Sequence, residues 1–363
     1  MRHSSLKLVI SLVCFIVCLT AYGVALAAEA PEAQEPLKLT VAQAVELALK
    51  DNPTVILQTF AVKEAELNVK IAKVNLKTTV TPQQLEDAEA ALAAAEAQLQ
   101  LTRQSQALAA REQYINVLKA QHTLELTGAA VAQANRNLTL VREKAAVGLA
   151  TDNDLYEAES NLRKAEITQR TAEASLETQR IKFNQLLSRD LRAPFELVDD
   201  VQYEIPAWDA TADTAKALAG RLDVAVAQRK LELAQRNLNV ADPSYTPQAQ
   251  IERLQMAVER AQIELDALTT TVILQVRDAI LGLETAHINV ELANAALEQQ
   301  QKQLQVAMLR HDSGFITTAD LADAQAAANV AEVQAVQAMY DQALAVTRYL
   351  NAIGAAAVPT AQD

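Results

Sequence analysis

Histidine, cysteine and clustered carboxylates carry most protein chemistry near neutral pH, and this sequence offers few of them. The four histidines are His3, His122, His287 and His311. His122 and His287 stand alone among Ala, Leu and Thr, with no cysteine and no second histidine four residues on, so neither begins a metal-binding pattern. They read as packing or hydrogen-bonding residues between helices. Both cysteines, Cys14 and Cys18, fall inside an apolar N-terminal run, so the remainder of the chain has no thiol chemistry. The sequence holds no glycine-rich phosphate loop. The carboxylates that stand out follow two glycines. Asp154 comes after Gly148 and Thr151, and Asp320 and Asp323 come after Gly314 and Thr317. Thr-x-x-Asp at a helix start is a capping pattern, and an Asp in the first turn complements the helix dipole. Asp323 lies beyond the cap. These residues make no catalytic constellation, so the sequence reads as a non-enzyme without cofactor or metal.

The elements that position these carboxylates occur twice. Gly148, Thr151, Asp154 and Leu155 are matched by Gly314, Thr317, Asp320 and Leu321, each 166 residues on. Upstream, Ile115 to His122 lies over Ile280 to His287, and Thr81-Pro82 over Thr246-Pro247, at an offset of 165. A match this long with so few insertions indicates two equivalent units.

Composition sets the class. Aromatic residues make up 4% of the 363-residue chain and glycines number 7, while Ala, Leu, Gln, Glu and Lys dominate, which suits long helices. The formal net charge of −13 gives no electrostatic footprint for nucleic acid. Arg2, His3 and Lys7 precede an apolar run from Leu8 to Leu19 and small residues ending Ala25-Leu26-Ala27, which together read as a secretory signal peptide. The same run is just long enough to serve instead as an uncleaved anchor helix. Cys18 follows Phe15-Ile16-Val17, which does not suit a lipid-anchor site. Without Arg2 and Lys7 the net charge goes from −13 to −15.

Punctuation gives the organisation. After a disordered lead over 28–37, Thr40 caps a short helix that Asn52-Pro53 ends, with Pro53 opening a helix to about Leu76. Thr81 caps and Pro82 opens a third helix with no proline until about Val147 and only Gly128 as a weak breaker. Roughly 66 helical residues would span about 100 Å, which requires a bundle or coiled coil. Gly148 supplies a left-handed C-cap, and Thr151 caps a helix to about Leu187. The linker 190–209 leads to a second round: a short helix near Asp213 to Leu218, one from Arg221 to Val240, a long one capped by Thr246, the turn at Gly314, and a last one capped by Thr317. The expected domains are a signal peptide over 1–27, a first helical-hairpin repeat over 28–189, the linker, a second repeat over 210–354 and a disordered tail over 355–363. Two shorter helices end to end match one long one, as in the wall of a tube.

The opening LTVAQAVELALKDNP (residues 39–53), the two Gly-loop-Thr-Asp turns and the repeated helix order resemble the TolC family of outer-membrane efflux proteins. The resemblance covers residues 38 to 354. It implies an all-α wall of duplicated helical hairpins, assembled as a homotrimer into a cylinder across the periplasm. It further implies a partnership with a periplasmic adaptor (membrane-fusion) protein and an inner-membrane pump, in efflux or type I secretion of small molecules or proteins. It also implies that acidic residues at the hairpin turns line a narrow, cation-favouring aperture. Asp154, Asp320 and Asp323 hold the matching positions, Asp154 and Asp320 as caps alone or as caps and aperture together. One departure stands out. The family inserts two transmembrane strands per unit, where this chain has only residues 74–82 and 239–247, and a spanning strand needs about 9–11 residues. No transmembrane β-strand is expected, which argues against direct membrane insertion. The alternative role is a barrel-less coiled-coil scaffold that spaces envelope layers without conducting. An adaptor subunit would need flanking β-rich domains that this sequence lacks.

Overall fold

The computed structural model of the protein describes residues 36–75, 82–199, 205–242 and 244–355. The signal peptide, Thr81 and the tail beyond residue 355 lie outside the described residues. These divide into two units: a small one comprising 36–37 and Ala193–Glu196, and a large one comprising Lys38–Arg192 and the rest from Leu197. Eight helices carry the large unit, in the order α1 (Val41–Asp51), α2 (Pro53–Asn75), α3 (Pro82–Ala146), α4 (Asp152–Leu186), α5 (Ala210–Gly220), α6 (Leu222–Val240), α7 (Gln248–Asp312) and α8 (Thr318–Ala352). The second four repeat the first four closely in length: 11, 23, 65 and 35 residues against 11, 19, 65 and 35. At 1.5 Å per residue, α3 and α7 are each about 100 Å long. The fold is all-α, built from duplicated long hairpins.

Each long helix is flanked by two shorter ones stacked along it. In the first half α2 lies on the N-terminal part of α3, through Val55 and Val62 against Leu99 and an ion pair from Lys73 to Glu89. Farther along, α4 lies on the C-terminal part, where Gln113 Nε2 donates to the Gln179 backbone. Asn52 joins the stacked ends. Its Nδ2 donates to Leu186 O and Gln106 Oε1, each at 3.2 Å, and its Oδ1 accepts the Thr54 N–H at 2.9 Å. In the second half Arg221 takes that place, with Nη1 donating to Ala352 O at 3.2 Å. Helix α8 packs between α3 and α7, so the hairpins run α4, α3, α8, α7 across the wall. The second half has an apolar cluster of Val224 of α6, Val272, Val276 and Leu283 of α7, and Val346 and Tyr349 of α8.

Three expectations need correction. Thr246 does not cap α7: Pro247 occupies the cap position with no side-chain bond, because Asp242 organises the turn and its carbonyl takes the Thr246 N–H. Helix α5 begins at Ala210 rather than near Asp213, because the Asp209 carboxylate accepts the N–H groups of Thr211 and Ala212. Leu37, placed in the disordered lead, opens β1 (Leu37–Leu39), and the linker contains β2 (Phe195–Leu197); the two form a two-stranded sheet. As expected, α3 runs through Gly128 without a break, since a glycine inside a helix weakens it by only about 1 kcal/mol. Among the described residues these are the only strands, and at three residues each they are far too short to cross a bilayer. No described helix is long and apolar enough to cross one.

Candidate functional site: the hairpin-tip groove

Both hairpins turn in the same way. Gly148 and Gly314 each have φ of +75°, in the left-handed region that favours glycine. At the first turn, Leu149 N–H bonds to Lys144 O at 2.8 Å and Gly148 N–H to Ala145 O at 3.0 Å. At the second, Phe315 bonds to Arg310 O at 2.8 Å and Gly314 to His311 O at 2.9 Å. This is the Schellman pattern, which satisfies the last carbonyls of each long helix. The turns leave apolar side chains in solvent: Val147, Leu149 and Phe315 are 69%, 78% and 81% exposed.

Thr151 and Thr317 then close reciprocal capping boxes. The Asp154 carboxylate accepts the Thr151 N–H at 2.7 Å and its hydroxyl at 2.8 Å, while Asp154 N–H donates to the Thr151 hydroxyl at 3.2 Å. Asp320 and Thr317 repeat this at 2.9, 2.8 and 3.1 Å. In both boxes the threonine backbone N–H, and then its hydroxyl, hold the carboxyl below the usual Asp range. The two carboxylates are thus fixed, ionised acceptors. Asp323 is exposed and has no hydrogen bond or ion pair among the described residues.

Behind the tips, α3, α4 and α8 enclose a groove of about 1060 Å³. Thr127, Asn137, Asn161 and Asn329 belong to its polar lining, and Lys144, Glu157 and Lys164 add charge to it. Asp154 lines it, whereas Asp320 and Asp323 do not, so the structure brings only one of the three candidates into the groove. Two polar links join the hairpins across it. Lys144 Nζ donates to the Thr318 hydroxyl at 3.0 Å, and Gln133 Nε2 to Gln325 Oε1 at 3.1 Å. Neither link was legible beforehand, because the partners are 174 and 192 residues apart and no local pattern marks them. Among the described residues no three His, Cys, Asp or Glu side chains are grouped so as to hold a metal ion.

A wall of paired long hairpins with stacked short helices and capped glycine turns defines a TolC-like fold. The chain is similar over its length to several outer-membrane channels. Against CmeC of Campylobacter jejuni the TM-score is 0.71 at 16% identity, covering 87% of this chain and 85% of that one. Against the outer-membrane channel OprN it is 0.73 at 15%, covering 88% and 91%. Against the open state of MtrE of Neisseria gonorrhoeae it is 0.69 at 15%, covering 86% and 88%. No protein-family model matches the sequence, and no curated protein matches it.

Proposed function

We propose that this chain is an exported envelope duct subunit that forms a homotrimer. In this reading it works with a periplasmic adaptor and an inner-membrane pump in tripartite efflux or type I secretion. The observation that carries the reading is the likeness of the whole wall, over most of both chains, to proteins described as outer-membrane channels. Self-association is supported by α7, the edge of the wall, where Leu274, Leu281, Ile288 and Leu292 stay exposed at spacings of seven, seven and four. That is the period of a helix seam awaiting a partner helix. The exposed apolar tips suit contact with an adaptor, and Asp154, Asp320 and Asp323 are assigned to the aperture.

The test is accumulation of a fluorescent efflux substrate in cells lacking the gene. Accumulation should rise, fall back with the wild-type copy, and stay high with a copy whose Leu149 and Phe315 are both replaced by Asp. Unchanged accumulation and unchanged protein secretion in the deleted strain would overturn the reading and favour a non-conducting scaffold.

A further inference from the structure

Helix α2 turns an apolar stripe to solvent. Leu57, Phe60, Leu67, Ile71 and Val74 are between 56% and 73% exposed, at spacings of three, seven, four and three, the period of a helix seam. At about 100° per residue the stripe lies on the side of α2 opposite Val55 and Val62, which pack toward α3. The stripe is not a property of the repeat. With α6 aligned through the buried Val55 and Val224, the places of Phe60 and Leu67 hold the exposed Arg229 and Arg236. An exposed apolar stripe this long marks a surface made for a partner.

Helix α7 carries a matching stripe on the other edge of the wall. Met256, Ile263, Ala267, Thr270 and Leu274 are exposed and run into the seam of Leu281 and Ile288. They lie opposite the side where Leu265, Leu268 and Val272 join Val224 of α6. The charges beside the two stripes are complementary. Lys63 and Lys70 flank the stripe on α2, while Glu252, Glu259 and Asp266 flank the one on α7. One charged residue interrupts each, Glu64 on α2 and Arg260 on α7.

The two stripes also stand at one height. Lys144 of α3 and His311 of α7 both meet the Thr318 hydroxyl, which sets the two long helices level. Lys73 of α2 pairs with Glu89 of α3, whose counterpart 165 residues on is Leu254 of α7. An α2 laid antiparallel on α7 at that level sets Ile71 against Met256 and Phe60 against Ala267. It brings Glu64 within a turn of Arg260, and Lys70 and Lys63 beside Glu259 and Asp266, the flanking pairs an antiparallel seam requires. We propose that α2 of one copy packs on α7 of the next copy in this register. Two different edges meet, so the contact is head to tail and repeats around a ring.

This pairing rests on the self-association of the proposed duct and names the surfaces that make it. Disulfide cross-linking of the full chain, with Cys14→Ser and Cys18→Ser, tests it. On oxidation with copper phenanthroline, the I71C/M256C chain should give a ladder of covalent oligomers. Neither single variant should give dimers, whereas the two single variants co-expressed should. K63E/K70E should cut the ladder about tenfold, as two attractions become repulsions, and adding E259K/D266K should restore it. If I71C/M256C does not fold, F60C/A267C is read in the same way. No ladder from a chain that sediments as an oligomer would overturn the pairing and leave the duct reading standing, while a clean monomer would overturn both. Dimers from a single variant would mean that like stripes meet, and a ladder untouched by K63E/K70E would refute the register. A monomer that floats with phosphatidylglycerol vesicles, and stops doing so as F60D, would give the stripe to a membrane instead.

Discussion

Replacing Gly148 or Gly314 with alanine isolates the energy of the hairpin turns. Both glycines have φ of +75°, and beyond the adjoining residues nothing lies within 4 Å of where a Cβ would be built. The substitution therefore meets no clash, and its cost is the conformational penalty of a left-handed L-residue, about 1–2 kcal/mol. Alanine also narrows the unfolded ensemble, and at an incompatible φ that gain of about 0.4–1 kcal/mol leaves a net loss near 1 kcal/mol. The two turns share no partner, so the double variant should lose about 2 kcal/mol. A reverse experiment comes from the ends of α4 and α8. Gly354 ends α8 at φ +72°, while Ser188, 166 residues earlier, ends α4 at φ +55° with the same bond pattern. Ser188 is exposed, so Ser188→Gly removes strain and little else, and should stabilise by about 0.5 kcal/mol. Urea unfolding followed by far-ultraviolet circular dichroism reads all of these as midpoint shifts at constant slope. Neutral Gly→Ala changes together with a destabilising Ser188→Gly would refute the assigned turn geometry.

Thr151→Ala and Thr317→Ala should each cost about 1 kcal/mol by the same assay, and Thr246→Ala almost nothing, since only the first two close capping boxes. Asn52→Ala removes three bonds at a site 7% exposed and strands Leu186 O, so it should cost about 2 kcal/mol, measured as the loss in urea midpoint. The Tyr349 hydroxyl donates to Asp213 at 2.8 Å, and burial, then the Asp213 bond and charge, push its pKa up to about 12. A raised value means that the stability it contributes is present below the ordinary tyrosine range near ~10 and is lost as pH rises toward about 12. Tyr349→Phe should take one group out of the late-titrating tyrosinate absorbance and leave that of Tyr114, whose hydroxyl burial also pushes up.

Helix order was legible because the sequence punctuates it chemically. Gly148 and Gly314 sit at the positive-φ turns, Thr40, Thr151 and Thr317 cap, and Pro53 opens α2. What escaped was either ambiguous locally or not local at all. Thr246-Pro247 has the same composition as Thr81-Pro82, yet Asp242 captures the turn before Thr246 can cap. Asp209 and Asp213 are both plausible starts for α5. Asp209 caps, while Asp213 sits in the first turn, where it accepts the Tyr349 hydroxyl. The three-residue strands have no period to detect. At the tip groove the caps were readable from spacing, whereas the Lys144–Thr318 link depends on packing α3 against α8.

Sedimentation equilibrium of the purified protein at micromolar concentration tests the duct account most directly, because a duct needs several copies of this helical wall. The account expects a single species of three times the mass of one chain. A clean monomer across that range would contradict it.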